Sequence, residues 1–185
     1  MNLKLLEGAV LTHGAHWSTD GTCARELIYL VVTGEKKDRT PECLTATLSA
    51  LPVLNDGPWR DDAHRTSVLL PYLRRLLDCP RDYRADRQRA FALVDYAERV
   101  IDQLNSLPVI EGNLETEYIR LESIRAAKEA AGTAAKSLLN SGVDLTAVWA
   151  AWAIRSAARA GQAEKGMLGN DFEIYVRRFL EIICS

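Results

Sequence analysis

Residues 13–26, HGAHWSTDGTCARE, bring several chemically reactive side chains into a short stretch of the chain. His13 and His16 are three positions apart, and so are Cys23 and Glu26, which fall in the first turns of a predicted helix. Neutral imidazole, thiolate and carboxylate groups are all competent ligands for zinc or iron. A loop folded over that helix would allow a metal site, although the spacing matches no established metal motif.

The same residues also fit a structural role. Glu26 lies beside the predicted apolar stripe of its helix, so it needs a polar partner, which an arginine or a loop amide would supply. Cys23 would then be a small core residue, and His16 would hydrogen-bond to a main-chain carbonyl. We favour this structural pairing, with a metal site or a catalytic role as the alternatives.

A thiol enzyme is one form of the catalytic alternative. A helix predicted from residue 40 places Cys43 in its first turn, where the helix macrodipole favours a thiolate. His16 would act as the base for Cys43 or Cys23. Glu26 or Asp38 would orient that base. No complete catalytic motif is present, so we assign no catalytic residue.

Six arginines fall in the segment RRLLDCPRDYRADRQR, with three aspartates among them. With Tyr83, this segment is the best candidate for binding nucleic acid, because arginines on one edge would contact phosphates. An ordinary solvated turn between two helices would look the same, and no recognition-helix motif is visible. The candidate binding residues are Arg74, Arg75, Arg81, Arg84, Arg87 and Arg89.

Helices must position all of these side chains, because the apolar spacing is helical almost throughout. The 185 residues, net charge of −2 and 48% hydrophobic content are ordinary for one globular domain. No apolar run has the length of a membrane span, no signal peptide is expected, and the four cysteines form no CxxC pair, which indicates reduced thiols in a cytoplasm. We expect an all-α, single-domain bundle of about six to seven helices, irregular in its N-terminal third. Residues 1–83 form its loop-rich part and residues 84–185 its long-helix bundle.

Cap and stop signals predict where the helices begin and end. Pro71 requires the third helix to kink or restart, because proline removes a main-chain hydrogen bond. Five aromatic residues of the last two helices would form either a core or an interface, and an exposed aromatic face would mark a partner site. The helices are predicted over about 20–33, 40–52, 61–77, 85–107, 115–139, 144–161 and 171–183. The aromatic residues are Trp149, Trp152, Phe172, Tyr175 and Phe179.

The chain resembles a family of small helical proteins from actinobacteria and their phages. The shared pattern runs GAH, GxCxxE, GExxxD, PxC, LND and LVDYAxR, and it covers roughly residues 11–105. The resemblance implies a bacterial or phage origin and carries no reaction with it. It includes His16, Cys23 and Glu26 and leaves out His13, so it moves the metal hypothesis to those three residues. The pattern is met by Gly14-Ala15-His16, Gly21 to Glu26, Gly34-Glu35 with Asp38, Pro41-Glu42-Cys43, Leu54-Asn55-Asp56 and Leu93 to Arg99.

We therefore expect a non-enzymatic protein that binds a macromolecule, with a protein as its partner and a role as an inhibitor or regulator. No membrane is expected as a partner, and a homo-oligomer remains open. The alternatives are a metal-dependent or thiol enzyme centred on His16, Cys23 and Glu26, and a nucleic-acid binder that uses the six arginines. Only the first alternative implies a cofactor, zinc or iron.

Overall fold

The fold is all-α, as the sequence predicts. A computed structural model describes residues 1–13, 21–106, 114–140, 142–165 and 170–185. These residues form no strand, and only two isolated bridges, Leu11 with Thr22 and Leu44 with Pro80, pair extended backbone. Two short 3-10 helices cover Leu3–Leu6 and Ala46–Ala50. The seven α-helices that the described residues form are α1 (Ala24–Thr33), α2 (Leu51–Asn55), α3 (Asp62–Leu76), α4 (Tyr83–Asn105), α5 (Leu114–Asn140), α6 (Val143–Lys165) and α7 (Asn170–Ile183).

Helix α6 lies at the centre of the molecule. It packs against α5, α4, α7, α2 and the 3-10 helix Ala46–Ala50. Small side chains let neighbouring helices approach closely, and α6 turns alanine towards most of its neighbours. Its fully buried residues include Ala147, Ala150, Ala151, Ala153, Ile154 and Ala157.

Local signals account for several helix ends. The Asp61 and Asp82 carboxylates accept main-chain N–H groups of the first turns of α3 and α4, at 2.6 and 2.8 Å. Gly34 ends α1 and Gly142 follows α5, and both adopt positive φ angles of 81° and 98°. None of the described helices combines the length and hydrophobicity that crossing a lipid bilayer requires.

The predicted helix over 40–52 is wrong. Residues 42–45 form a turn and an extended link, and the chain then enters the 3-10 helix Ala46–Ala50 and α2, where Pro52 occupies the first turn. The cause is the buried Asp86 carboxylate of α4, which accepts the Thr45 hydroxyl at 2.5 Å and the Ala46 N–H at 3.1 Å. A partner some forty positions away therefore sets the start of this segment, and local sequence does not reveal it.

Three other boundaries also differ. Helix α3 runs through Pro71 without restarting, because Pro71 and Ser67 are exposed and water can solvate the freed Ser67 carbonyl. Helix α6 begins at Val143 and continues past Gly161, because a glycine inside a helix costs only about 1 kcal/mol and does not by itself end the helix. Helix α1 begins at Ala24, where Cys23 serves as its N-cap. The predicted cap Asp20 lies outside the described residues.

Helix α7, the last helix, packs against residues of the N-terminal part of the chain. The Phe172 ring lies directly against Gly57, where a Cβ atom would come within 2.0 Å of the ring. The Trp59 ring meets Phe172 edge-on, with 4.8 Å between ring centroids. His64 Nε2 is 2.8 Å from the Glu173 carboxylate. The N-terminal elements are thus packed against the last helix.

Candidate functional site

The reactive N-terminal stretch is described only in part, because residues 14–20, which include His16, lie outside the described ranges. His13 is exposed. Cys23 and Glu26 form a capping box at the start of α1. The Cys23 sulfur accepts the Glu26 N–H at 3.4 Å, and the Glu26 carboxylate accepts the Cys23 N–H at 3.0 Å. Glu26 is buried, as its position beside the apolar stripe predicts. The polar groups that its carboxylate accepts are the Cys23 N–H and the Thr22 hydroxyl, the latter at 3.3 Å.

This pairing determines the chemistry of Cys23. Burial raises the pKa of the Cys23 thiol to about 12, and the carboxylates of Glu26 and Asp38 act in the same direction against the N–H donors. Metal ligation and nucleophilic attack both require the thiolate. Among the residues the structure describes, no three His, Cys, Asp or Glu side chains form a group that could hold a metal ion. The metal site of His16, Cys23 and Glu26 remains a prediction. Cys23 and Glu26, the two of these residues that the structure describes, are hydrogen-bonded to each other.

Cys43 does not occupy the first turn of a helix. It lies exposed in the turn before the 3-10 helix Ala46–Ala50, and its carbonyl accepts the Arg81 N–H at 3.0 Å. The macrodipole argument for a Cys43 thiolate therefore does not apply.

The six arginines of the candidate nucleic-acid segment differ in their surroundings. Arg89 is held inside the protein, because it donates to the buried Asp86 carboxylate at 3.0 Å and to the main-chain oxygen of Ser185 at 3.0 Å. Arg75 and Arg87 lie over aromatic rings of their own helices, at 5.5 and 5.7 Å from the ring centroids. The members with exposed side chains are Arg74, Arg75, Arg81, Arg84 and Arg87.

Four of the five aromatic residues of the last two helices divide into two groups, and the fifth, Tyr175, is half-buried against the core. Phe172 and Phe179 are fully buried, so they belong to the core. Trp149 and Trp152 of α6 are 36% and 40% exposed, and Leu145 beside them is 47% exposed. Periodicity could not separate the two groups, because it does not show which face of a central helix its neighbours leave uncovered.

The exposed face of α6 is aromatic at one end and basic at the other. At about 100° per residue, Leu145, Trp149, Trp152 and Arg159 fall within an arc of about 80°. Arg159 is exposed. Arg155 lies beside the arc, with its guanidinium 4.8 Å from the Trp152 ring centroid. Burial lowers the pKa of Arg155, and the nearby Asp56 carboxylate partly offsets this. We call Leu145, Trp149, Trp152, Arg155 and Arg159 the α6 face.

A cavity continues the α6 face towards α5. It has a volume of about 390 Å³, and Arg159 and Ser156 of α6 form one of its walls. Tyr118 and Glu122 of α5 line the opposite wall, and the Tyr118 ring is largely exposed. The cavity therefore adjoins the basic end of the α6 face, and its lining combines the Tyr118 ring with polar side chains.

Comparison with known proteins yields no relative: no protein-family model matches the chain, and neither the curated proteins nor the solved structures contain a significant match.

Proposed function

We propose that this protein acts by binding another protein through the α6 face and performs no chemistry of its own. One observation carries the proposal: the central helix of the bundle leaves two tryptophans exposed on a single face. Contiguous exposed apolar groups of this size mark interaction sites, and tryptophan and arginine are the residues that most often dominate binding energy. A role as an inhibitor or regulator, and a bacterial or phage origin, belong to this proposal.

The charge of the α6 face selects the kind of partner. Arg159 and Arg155 lie at its basic end. The nearby Glu122 carboxylate is 2.6 Å from Arg125 of its own helix, so it is paired within α5. The matching ligand is a helical segment with apolar side chains for the tryptophans and an adjacent carboxylate for Arg159. This is the helix-in-groove mode of recognition, with electrostatic complementarity fixing the orientation of the ligand.

Two alternatives have weaker support. An enzyme centred on His16, Cys23 and Glu26 would need the polar groups of Cys23 and Glu26, which the α1 capping box already engages. A nucleic-acid binder would use exposed arginines near Tyr83, but Asp78, Asp82 and Asp86 stand among them. If the arginines did bind phosphates, the affinity for nucleic acid would fall steeply with salt, which a binding assay at two salt concentrations detects.

Selection from a displayed library of random peptides on the immobilised protein tests the proposal without a known partner. We expect enriched peptides to be apolar and acidic, and to bind with a change in tryptophan fluorescence. Trp149→Ala with Trp152→Ala should weaken binding at least about 100-fold, because each is a central anchor. Arg159→Glu should weaken it about tenfold, and a lysine in place of the peptide carboxylate should restore it.

The matched control is Ile174→Ala, which removes an even more exposed apolar side chain from α7 and should leave binding unchanged. Enriched peptides that bind the double alanine variant as tightly as the wild type would overturn the proposal. Sedimentation of the free protein tests a second copy as the occupant. A dimer that Trp149→Ala and Trp152→Ala convert to a monomer would replace the proposed partner with another copy of this chain.

A further inference from the structure

The cavity between α5 and α6 has the dimensions of a small-molecule site. Its volume of about 390 Å³ falls within the range of about 300–1,000 Å³ that such sites occupy. The small side chains of Ser123 and Ala126 on α5 and of Ser156 on α6 leave this space between the two helices. We call it the α5–α6 cavity.

Three hydrogen-bond donors in the lining of the α5–α6 cavity have no partner in the part of the chain that the structure describes. Ser123 is only 6% exposed, and its hydroxyl forms no hydrogen bond with any other described residue. The half-buried Ser156 hydroxyl and the Arg159 guanidinium are likewise unengaged by described residues. Because a buried polar group without a partner costs free energy, a ligand that accepts hydrogen bonds is stabilised here.

The charges around the α5–α6 cavity favour one negative charge on that ligand. No described carboxylate pairs with Arg159, whereas Glu122 on the opposite wall is balanced by Arg125 at 2.6 Å. The charge of Arg159 also reaches Arg155: burial lowers the pKa of Arg155 and Arg159 lowers it further, against the effect of Asp56. The one free guanidinium of the lining balances a single charge, and its planar fork matches the two oxygens of a carboxylate.

The rest of the lining suits an apolar body on the same ligand. The Tyr118 ring, on the wall opposite Arg159, is largely exposed. Ile119 and Ala126 complete this part of the lining. An aromatic ring that enters the cavity can lie against Tyr118, and such ring pairs add to the stabilisation that burial provides.

We propose that the α5–α6 cavity binds a small carboxylate with an apolar or aromatic body. The carboxylate accepts hydrogen bonds from Arg159, Ser156 and Ser123, and the body contacts the Tyr118 ring. This site goes beyond the α6 face, because the cavity holds a small molecule and the two tryptophans do not line it. An occupied cavity also withdraws Arg159 from the carboxylate of a protein partner, and this consequence alone rests on the proposed function.

Titration of the free protein with sodium benzoate tests the proposal. Two-dimensional NMR of isotope-labelled protein follows the main-chain amides, and sodium chloride keeps the ionic strength constant. We expect saturable shifts that are largest in residues 118–126 and 156–159, on the two walls of the cavity. Benzamide, which has the same shape without the charge, should bind at least about tenfold more weakly. The titration needs no protein partner, so its result does not depend on whether the α6 face binds one.

Substitutions in the lining test the role of each donor. Arg159→Gln should weaken benzoate binding at least about tenfold, and Arg159→Lys should weaken it less, because lysine keeps the charge and loses only the planar fork. Ser123→Ala should weaken binding about three- to tenfold through the loss of one hydrogen bond. The matched control is Arg178→Gln, which removes an exposed arginine from α7 and should leave the affinity unchanged. The amide spectrum of each variant shows whether its fold is retained.

Equal affinities for benzoate and benzamide, or an unchanged affinity in Arg159→Gln, would overturn the proposal. Shifts that do not saturate, or that spread over the whole surface, would also overturn it, because they indicate a general effect of salt. Phenyl phosphate distinguishes the two kinds of oxyanion. It carries about two negative charges near neutral pH, so we expect it to bind more weakly than benzoate. Tighter binding of phenyl phosphate would overturn the assignment to a carboxylate.

Discussion

A cysteine is an uncommon helix cap, because sulfur is a weak hydrogen-bond acceptor. At the start of α1, Cys23 accepts the Glu26 N–H at 3.4 Å, while the return bond to the Glu26 carboxylate is shorter, at 3.0 Å. The charged partner therefore provides most of the stabilisation of this capping box. Glu26 is buried as well, so its removal would leave the Cys23 N–H without its acceptor in a low-dielectric environment.

Replacement of Glu26 measures this contribution. We expect Glu26→Ala to lower the free energy of unfolding by about 1–2 kcal/mol, and Glu26→Gln to lower it less, because glutamine also closes a capping box. Urea unfolding gives both values. Glu35→Ala, an exposed glutamate just beyond the end of α1, is the control and should stay within about 0.5 kcal/mol of the wild type. A stoichiometric zinc or iron ion in protein purified without chelator, lost in Glu26→Gln, would contradict the capping role and favour the metal site.

At the scale of elements, α7 is attached to α3 by a charged contact beside the Trp59 and Phe172 rings. The Glu173 carboxylate is 2.8 Å from His64 Nε2 and 2.7 Å from Arg177 Nε. The hydrogen bond with His64, followed by that from Arg177, lowers the pKa of Glu173 below its ordinary value. A carboxylate with a lowered pKa in the folded state stabilises the protein above its unfolded pKa of about 4.3, and this stabilisation is lost as the pH falls.

The stability of Glu173→Gln should therefore depend on pH differently from that of the wild type. At pH 7 we expect the variant to be about 1 kcal/mol less stable, because it keeps a hydrogen-bonding side chain and loses the charge. The difference should shrink as the pH falls below the unfolded pKa of about 4.3 and then through the lower pKa of the folded wild-type carboxylate. Thermal melts across this range provide the measurement. Glu181→Gln, on the same helix, removes a carboxylate that pairs with exposed Arg178 and should show a much smaller difference; equal effects would refute the role of His64.

Sequence patterns predicted the long helices well, and they predicted poorly the segments whose course depends on contacts with distant parts of the chain. The helix predicted over 85–107 is observed as α4 (Tyr83–Asn105), because the buried residues of a long amphipathic helix recur at helical spacing in the sequence. In α4 these are Ala90, Val94, Ala97, Ile101 and Leu104. The region around Thr45 was predicted wrongly, because Asp86 of another helix sets its course.

For the whole molecule, α6 is the element that connects the N-terminal part to the long helices. It contacts α2 and the 3-10 helix Ala46–Ala50 on one side and α4, α5 and α7 on others. Its buried alanines leave little room for change, because interiors are close-packed and a larger side chain forces its neighbours apart. A chain organised around one shared helix should unfold as one cooperative unit, which is the single domain that the sequence predicts.

Hydrogen exchange in increasing urea tests this organisation. We expect residues 46–55 and 84–105 to lose their slow-exchange protection at the same urea concentration, since both depend on α6. Ala157→Leu, at a fully buried position of α6, should lower the free energy of unfolding by about 1–3 kcal/mol. It should lower the urea concentration at which protection is lost by the same amount in both segments. Leu145→Ala, on the exposed side of the same helix, is the control and should change the free energy of unfolding of either segment by no more than about 0.5 kcal/mol. Separate transitions for the two segments would mean that the N-terminal part and the long helices are independent units, because a helix packed into both could not then be holding them together.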